Sequence, residues 1–419
     1  MARDTAVRYT SSMDSAIRLR QGTAEDFPAV WDLLGLVFHD EFEGEARDAE
    51  EAVFEPERSL VADDAGLMAG HALAFGRRLG VPGGELPAAH ISSVGVRPTH
   101  RRRGLLTALM HRQLIDIAEA GREPLAVLWA SETSIYPRFG YGPAAFRHKF
   151  SIMNQEVRLP APPPGPPARL RMGSPADLLG ELRQVYDRVR PGRVGWSDRD
   201  DNWWRYVLAD PKDQRDGATR QHAVLLDGPT GPAGYALWRV KGGWTDHGPD
   251  GEVQVGEVVA GDPVTYQALW RFLLGIDLTR TVSYKLGAVD EPLQFLVDEP
   301  RRLGARKMDA LFVRLVDLPA ALAARRYLTA VDVVLEVDDP ILPANAGRWR
   351  LTGGPDGATC VRTGDPADLA CPVTDLGAAY LGGTSLATLA AAGRVHQLSD
   401  NDPSAAFGWH RPPSVTEVF

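Results

Sequence analysis

The sequence predicts a mixed α/β (α+β) protein of more than one domain. At 419 residues with 44% apolar content, the chain is long enough for two or three ordinary cores. Helical and strand-like patterns alternate along most of it, and one proline run interrupts them. That run, RLPAPPPGPPARL over residues 158–170, holds five prolines and a glycine between Pro162 and Pro167. Such a composition favours an extended connector over helix or sheet.

Upstream of the connector, apolar spacing predicts a helix over residues 24–37, strands over 59–77 and 89–96, a helix over 104–120, and a strand in PLAVLWAS. This reads as an α/β unit with mixed strand pairing. A second α/β segment runs from about residue 169 to 303 and includes DDNWWRYVLADP, GYALWRV and TYQALWRFLLGIDL. A third begins at KMDALFVRLVDLPAALAARRYL, a strand followed by a helix that Asp317 can cap, and continues through AVDVVLEVDD. The longest charge-free stretch, LGAAYLGGTSLATLAAAG, is rich in Gly, Ala, Ser and Thr and reads as a buried helix and turn rather than a membrane span.

The net charge of −9 argues against a nucleic-acid protein, which would present a basic face, and favours cationic partners. Cys360 and Cys371 form neither a CxxC pair nor a metal set, so no metal site is expected and both are read as reduced thiols. The first twenty residues lack the apolar core of a signal peptide, which makes the cytoplasm the expected location and a membrane partner unexpected.

One stretch stands apart from this acidic background: VGVRPTHRRRGLLTALMHRQLIDIA. The strand before it stops at Pro98, and Leu105, Leu106, Leu109, Met110, Leu114 and Ile117 recur at helical spacing. Arg101, Arg102, Arg103 and Gly104 therefore stand at a helix N-terminus, where unpaired N–H groups and the helix dipole favour an anion. Gly104 leaves room for backbone to approach a phosphate.

This context resembles the GNAT superfamily of N-acetyltransferases, whose signature is Arg/Gln-x-x-Gly-x-Gly/Ala between a strand and a helix. Arg101 and Gly104 match, and Leu106 stands where a last small residue is usual. The resemblance implies that the loop from Arg101 to Leu106 grips the pyrophosphate of acetyl-CoA, and that the main chain of Ser93, Val94 and Val96 binds its pantetheine arm, with Ser131 nearby. In WASETSIYPRFGYGPA, Tyr136 precedes Gly140 and Tyr141 at the spacing of the superfamily's tyrosine beside the CoA sulfur. A phenol with an ordinary pKa near 10 keeps its proton at neutral pH and suits a leaving thiolate.

HRRRGLLTALM, IYPRFGYGPA, GEVVAGDPVTYQALWRFLLGIDLTRTV and LFVRLVDLPAALAARRYL together look like the Eis-type (enhanced intracellular survival) acetyltransferases of actinobacteria. That resemblance implies a flexible N-terminus over residues 1–15, a catalytic GNAT domain over 16–160, a second GNAT-like domain without cofactor over 161–304, and a sterol-carrier-protein-2-like domain over 305–419. It also implies a homohexamer. In this family the tyrosine matching Tyr136 is the general acid, and the C-terminal carboxylate, here that of Phe419, is the base. The sequence adds its own support for an empty second domain: after GEVQVGEVVA come Asp262 and Pro263, with no Arg-x-x-Gly loop.

For the acceptor, HDEFEGEARDAEEAVFEPE carries nine acidic residues against one arginine, and the corresponding segment lines the acceptor site in the superfamily. Asp40 and Glu41 are expected to attract a polycationic amine or a lysine-bearing substrate, with Glu43 beside them and Glu417 as a further carboxylate. Trp31, Phe38 and Phe42 are expected to supply apolar walls. The competing readings are a lipid carrier built on the last domain and a dedicated protein lysine acetyltransferase.

Overall fold

The computed structural model describes residues 17–40, 44–162 and 169–419. The expected flexible N-terminus, most of the proline run, Glu41, Phe42 and Glu43 lie outside the described residues.

The first part of the chain runs β1 (Arg18–Gln21), α1 (Phe27–Phe38), α2 (Glu45–Val53), β2 (Ser59–Asp64), β3 (Leu67–Val81), β4 (Gly84–Val96), α3 (Leu105–Ala120), β5 (Leu125–Trp129), β6 (Gly142–Pro143) and β7 (Phe146–Met153). The second runs β8 (Arg169–Gly173), α4 (Leu179–Val189), α5 (Asp201–Leu208), β9 (His222–Gly228), β10 (Gly231–Lys241), the small hairpin β11 (Trp244–Thr245) and β12 (Gly248–Pro249), β13 (Gly251–Ala260), α6 (Pro263–Leu274), β14 (Thr279–Ala288) and α7 (Leu293–Leu296). The third runs β15 (Arg306–Asp309), β16 (Leu311–Leu315), α8 (Leu318–Ala324), β17 (Val331–Asp338), β18 (Gly347–Gly354), β19 (Gly357–Arg362), β20 (Leu369–Pro372), α9 (Val373–Ala379), α10 (Leu386–Ala391), β21 (His396–Gln397) and α11 (Ser404–Phe407).

These elements form three main sheets that do not follow chain order. The first sheet is β1-β2-β3-β4-β5-β16-β6, so a strand from beyond residue 305 is inserted between β5 and β6. The second is β15-β7-β14-β13-β10-β9-β8, and it takes β7 from before the proline run. The third is β19-β18-β17-β20-β21. Each of the first two sheets has one parallel pair, β4 with β5 and β13 with β14, at the place where a helix crosses over. The charge-free stretch is α9 and α10 joined by a turn at Gly382, whose φ of +80° suits glycine. Asp317 caps α8 as the sequence suggests, accepting from the Ala320 N–H at 3.0 Å.

One apolar core unites the first sheet with the third: Leu125, Val127, Val313 and Leu315 pack with Leu335, Trp349, Leu376 and Tyr380. The fully buried Arg314 of β16 reaches Asp339 at 2.7 Å, and Asn345 donates to the same carboxylate at 2.9 Å. The third domain is thus fastened to the sheet that carries the site.

Candidate active site

β4 is the hinge of the site. It pairs with β5 only from Ala88 to Ile91, and among the described residues those beyond have no partner strand on that side. On the other side, Ala72 of β3 faces two residues of β4, because His71 pairs with Gly95 and Leu73 with Ser92. The extra residue is a bulge, and a bulge bends its strand. Ser93 there adopts a φ of +52°, unusual for a residue with a side chain.

His71 holds this bend. Its ring is fully buried, with Nδ1 2.9 Å from the Ser93 carbonyl and Nε2 2.7 Å from the Ser59 hydroxyl. A carbonyl can only accept, so Nδ1 carries the proton and donates, while the Ser59 hydroxyl donates to Nε2. Burial lowers the His71 pKa to about 4, which keeps this neutral tautomer at physiological pH. Because a peptide unit is planar and trans, the Val94 N–H points away from His71.

A cavity of about 500 Å³ opens along the unpaired edge, lined by Val94, Gly95, Val96, Arg101, Arg102, Gly104, Leu105, Leu106, Ser131 and Tyr136. Ser93 faces the other side of the strand, and Arg103 is exposed outside this lining. His100, Thr107, Glu132 and Arg138 also line it, and the motif did not single them out. The N-terminus of α3 points at this space. Its cap is Gly104 with φ +77° and no side-chain cap, and Arg102 before it is also left-handed at φ +62°. The open N–H groups and neighbouring guanidinium groups are what a phosphate needs. The second domain differs at the matching point. There the Asp262 carboxylate caps α6, accepting from the N–H groups of Val264 and Thr265 at 2.9 Å, so a negative charge already fills the anion's place.

Tyr136 opens a short 3-10 turn, Tyr136–Phe139, ended by Gly140 in the left-handed conformation, and is only 6% exposed. Burial raises its pKa above the ordinary value. The hydrogen bond with Ser131 opposes that rise and the charge of Glu132 adds to it. Tyr141 is completely buried behind it, with ring centroids 6.3 Å apart, and its hydroxyl has no hydrogen-bond partner among the described residues.

On the opposite side of β4 lies a second cavity of about 510 Å³, built from all three parts of the chain. Trp31, Leu34, Phe38, Ala46, Ala49 and Glu50 come from α1 and α2, and Ser92 and Ser93 from β4. Tyr206, Leu237, Gly256, Glu257 and Leu286 come from the second part, and Thr416, Glu417, Val418 and Phe419 from the last residues of the sequence. Phe38 lines both cavities, so the two meet at the bent strand. Trp31 and Phe38, expected to supply apolar walls for an acceptor, both line this cavity. Asp40 is exposed beyond α1 and is not part of the wall. The acidic groups that do face the cavity are Glu50, Glu257 and Glu417. The first lies within the acidic stretch but was not singled out there, and Glu257 had no sequence signal.

The tail is clamped rather than frayed. The Ser414 N–H donates to the Val194 carbonyl at 3.0 Å, and the Trp196 indole donates to the Ser414 hydroxyl at 3.0 Å. Glu417 is paired at 2.6 Å with both Arg77 and Arg199. Burial alone would raise its pKa, but the two guanidinium groups outweigh that and hold it below the ordinary carboxylate value. Phe419 packs its ring on buried His90, centroids 4.7 Å apart, and His90 Nε2 is 2.8 Å from the Ser197 hydroxyl.

Residues 18–144 and 195–315 each match a family model described as an acetyltransferase (GNAT) domain, and residues 318–416 match a sterol carrier protein domain. The chain is 35% identical over 394 residues to the N-acetyltransferase Eis of Mycobacterium tuberculosis, covering 90% of this chain and 93% of that one. It belongs to the Eis family of N-acetyltransferases. A Streptomyces avermitilis protein described as an uncharacterized N-acetyltransferase is 48% identical over 375 residues, 89% of this chain and 88% of that one. The crystal structure of Eis1 from Mycobacterium abscessus superposes with a TM-score of 0.80 at 30% identity, covering 96% of this chain and all of that one. The Eis family thus accounts for both GNAT sheets and for the third domain. Among the described residues, no helix is long and apolar enough to cross a membrane, and no group of three metal-ligating side chains is assembled.

Proposed function

We propose that this enzyme transfers the acetyl group of acetyl-CoA to amino groups of small polycationic amines of the aminoglycoside type, at one or several positions, or of lysine side chains. One observation carries the reading: a cleft ending at an open helix N-terminus and an acidic, aromatic cavity meet at a single bent strand. Acetyl-CoA supplies an acetyl group activated as a thioester. The α3 N-terminus, Arg101 and Arg102 hold its pyrophosphate, with Arg103 adding charge from outside the lining, and the main chain of Val94 to Val96 aligns its pantetheine arm.

The Phe419 carboxylate takes the proton from the acceptor ammonium, directly or through water, and frees the nitrogen lone pair. The Val94 N–H, aimed by the His71 bond to Ser93, steadies negative charge developing on the acetyl oxygen. The Tyr136 hydroxyl gives its proton to the departing sulfur. Trp31 and Phe38 wall the amine in, and the exposed carboxylate of Asp40 beyond α1 adds negative charge that draws cations toward it. The Asp262 cap supports a second domain that binds no acetyl-CoA. Cytoplasmic location and a homohexamer complete the proposal. Trp244 and Phe295, 74% and 84% exposed, offer apolar surface for assembly.

Release of free thiol from acetyl-CoA, followed across aminoglycosides, diamines and lysine peptides, tests the reading. Saturable, amine-dependent thiol release is expected. Acetyl-CoA binding without turnover on any amine would overturn it, and turnover on lysine peptides alone would mark a dedicated protein acetyltransferase.

A further inference from the structure

The carboxylates of the acceptor cavity are not equally served by the protein. Glu257 receives Arg199 at 2.8 and 3.2 Å and the Tyr235 hydroxyl at 2.8 Å. Glu417 receives Arg77 and Arg199. Two guanidinium groups therefore answer two glutamates. Glu50 has no cation within ion-pair distance among the described residues, and it lines the cavity together with Tyr206, whose hydroxyl is the neighbouring polar group.

The placement of Glu50 follows from its helix. On α2, Ala46, Ala49 and Glu50 share the face that lines the cavity, so two small side chains open space and one long carboxyl reaches into it. Glu45, Asp48 and Glu51 on the same helix are exposed. Of the described acidic residues in this stretch, Glu50 alone is in the wall.

We propose that Glu50 and Tyr206 form a second ammonium subsite, which holds a protonated, non-reacting amino group of the acceptor while another amino group is acetylated. This rests on the acetyl-transfer reading and narrows it: the favoured acceptors carry at least two amino groups. The chemistry is complementary. An ammonium donates up to three hydrogen bonds, and Glu50 with the Tyr206 oxygen offers acceptors beside the apolar wall of Trp31, Leu34 and Phe38. Burial raises the Glu50 pKa to about 7, against the opposing effect of the Tyr206 hydroxyl, which is the condition of a carboxyl that lacks a cation and gains one with the ligand.

The test compares an alkyl monoamine with the α,ω-diamine of the same carbon count, on the full-length wild type and on Glu50→Gln, which keeps shape and removes charge. The diamine KM is expected to rise about tenfold or more in the variant, the worth of a charge-assisted hydrogen bond. Its kcat and the monoamine KM should hold. Tyr206→Phe, a second variant, should raise the diamine KM by a smaller factor. Equal changes for both amines, or none, would overturn the subsite. If the wild type acetylates neither amine, nor any aminoglycoside or lysine peptide, the acetyl-transfer reading fails by itself. Calorimetric binding of the diamine then still decides the subsite: weaker binding to Glu50→Gln supports it, and equal binding overturns it.

Discussion

Tyr136 and His71 lie in similarly buried surroundings, and burial does opposite things to their pKa values. It raises the pKa of the phenol, so Tyr136 keeps its proton, and it lowers the pKa of the imidazole, so His71 sheds its charge. Both are neutral at pH 7, and each neutral form is the one the proposed acetyl transfer requires. Tyr136→Phe removes the proton and almost no volume. Folding and acetyl-CoA affinity should therefore survive while kcat falls about 100-fold or more, the usual worth of a lost general acid. The pH profile gives a second check with a definite sign. Because the Tyr136 pKa is raised, its deprotonation should cost activity only above the ordinary tyrosine value of about 10. Steady-state kinetics from pH 6 to about 11 measure both. An unchanged kcat in the phenylalanine variant would reduce Tyr136 to packing. Tyr136 was legible in the sequence because a motif carries it. His71 was not, since nothing in LMAGHALAFG says that its ring will meet a carbonyl 22 residues away.

The helices α3 and α6 occupy matching positions after the parallel strands β4 and β13, yet their first turns are capped differently. Gly104 leaves the α3 N–H groups open, while Asp262 closes those of α6 with its own carboxylate. Both facts could be read from local sequence, because a cap is decided within three or four residues. The split between β4 and β5, and the exchange of β7 and β16 between sheets, could not. They depend on strand pairing between distant segments, across more than a hundred residues for β7 and β16, which hydrophobic period alone does not encode. Gly104→Val tests the local part. A β-branched residue at φ +77° is strained by about 1–2 kcal/mol, and its side chain also occupies the space needed for a phosphate. Acetyl-CoA affinity, measured by calorimetry, should fall at least about tenfold, more than strain at a folded turn would explain. Asp262→Ala is the control. It should cost about 1 kcal/mol of stability as a lost cap and leave acetyl-CoA affinity unchanged. Wild-type affinity in Gly104→Val would remove the pyrophosphate assignment.

At the scale of the whole molecule, the proposed acceptor cavity exists only because three parts of the chain converge on it. The sequence pointed to α1 and the acidic stretch. It gave no sign that Tyr206 and Glu257 of the second part would form the facing wall, because those residues carry no motif and meet the first part only through the fold. The last residues close the space. They run between Val194 and Trp196 on one side and Arg77 and His90 on the other, with Glu417 as the charged pin. A substitution of Glu417 would be a poor probe of the proton acceptor. Removing one partner of a buried ion network costs about 3–5 kcal/mol, and loss of the fold would mimic loss of chemistry. Extension beyond Phe419 is cleaner. It turns the proposed base into a neutral amide and displaces it, while the clamp upstream through Ser414 and Glu417 stays in place. Such a protein should bind acetyl-CoA and melt as the wild type does, yet lose amine-dependent thiol release. The same tag at the N-terminus should change nothing. If both tagged proteins turn over alike, the Phe419 carboxylate is not the base.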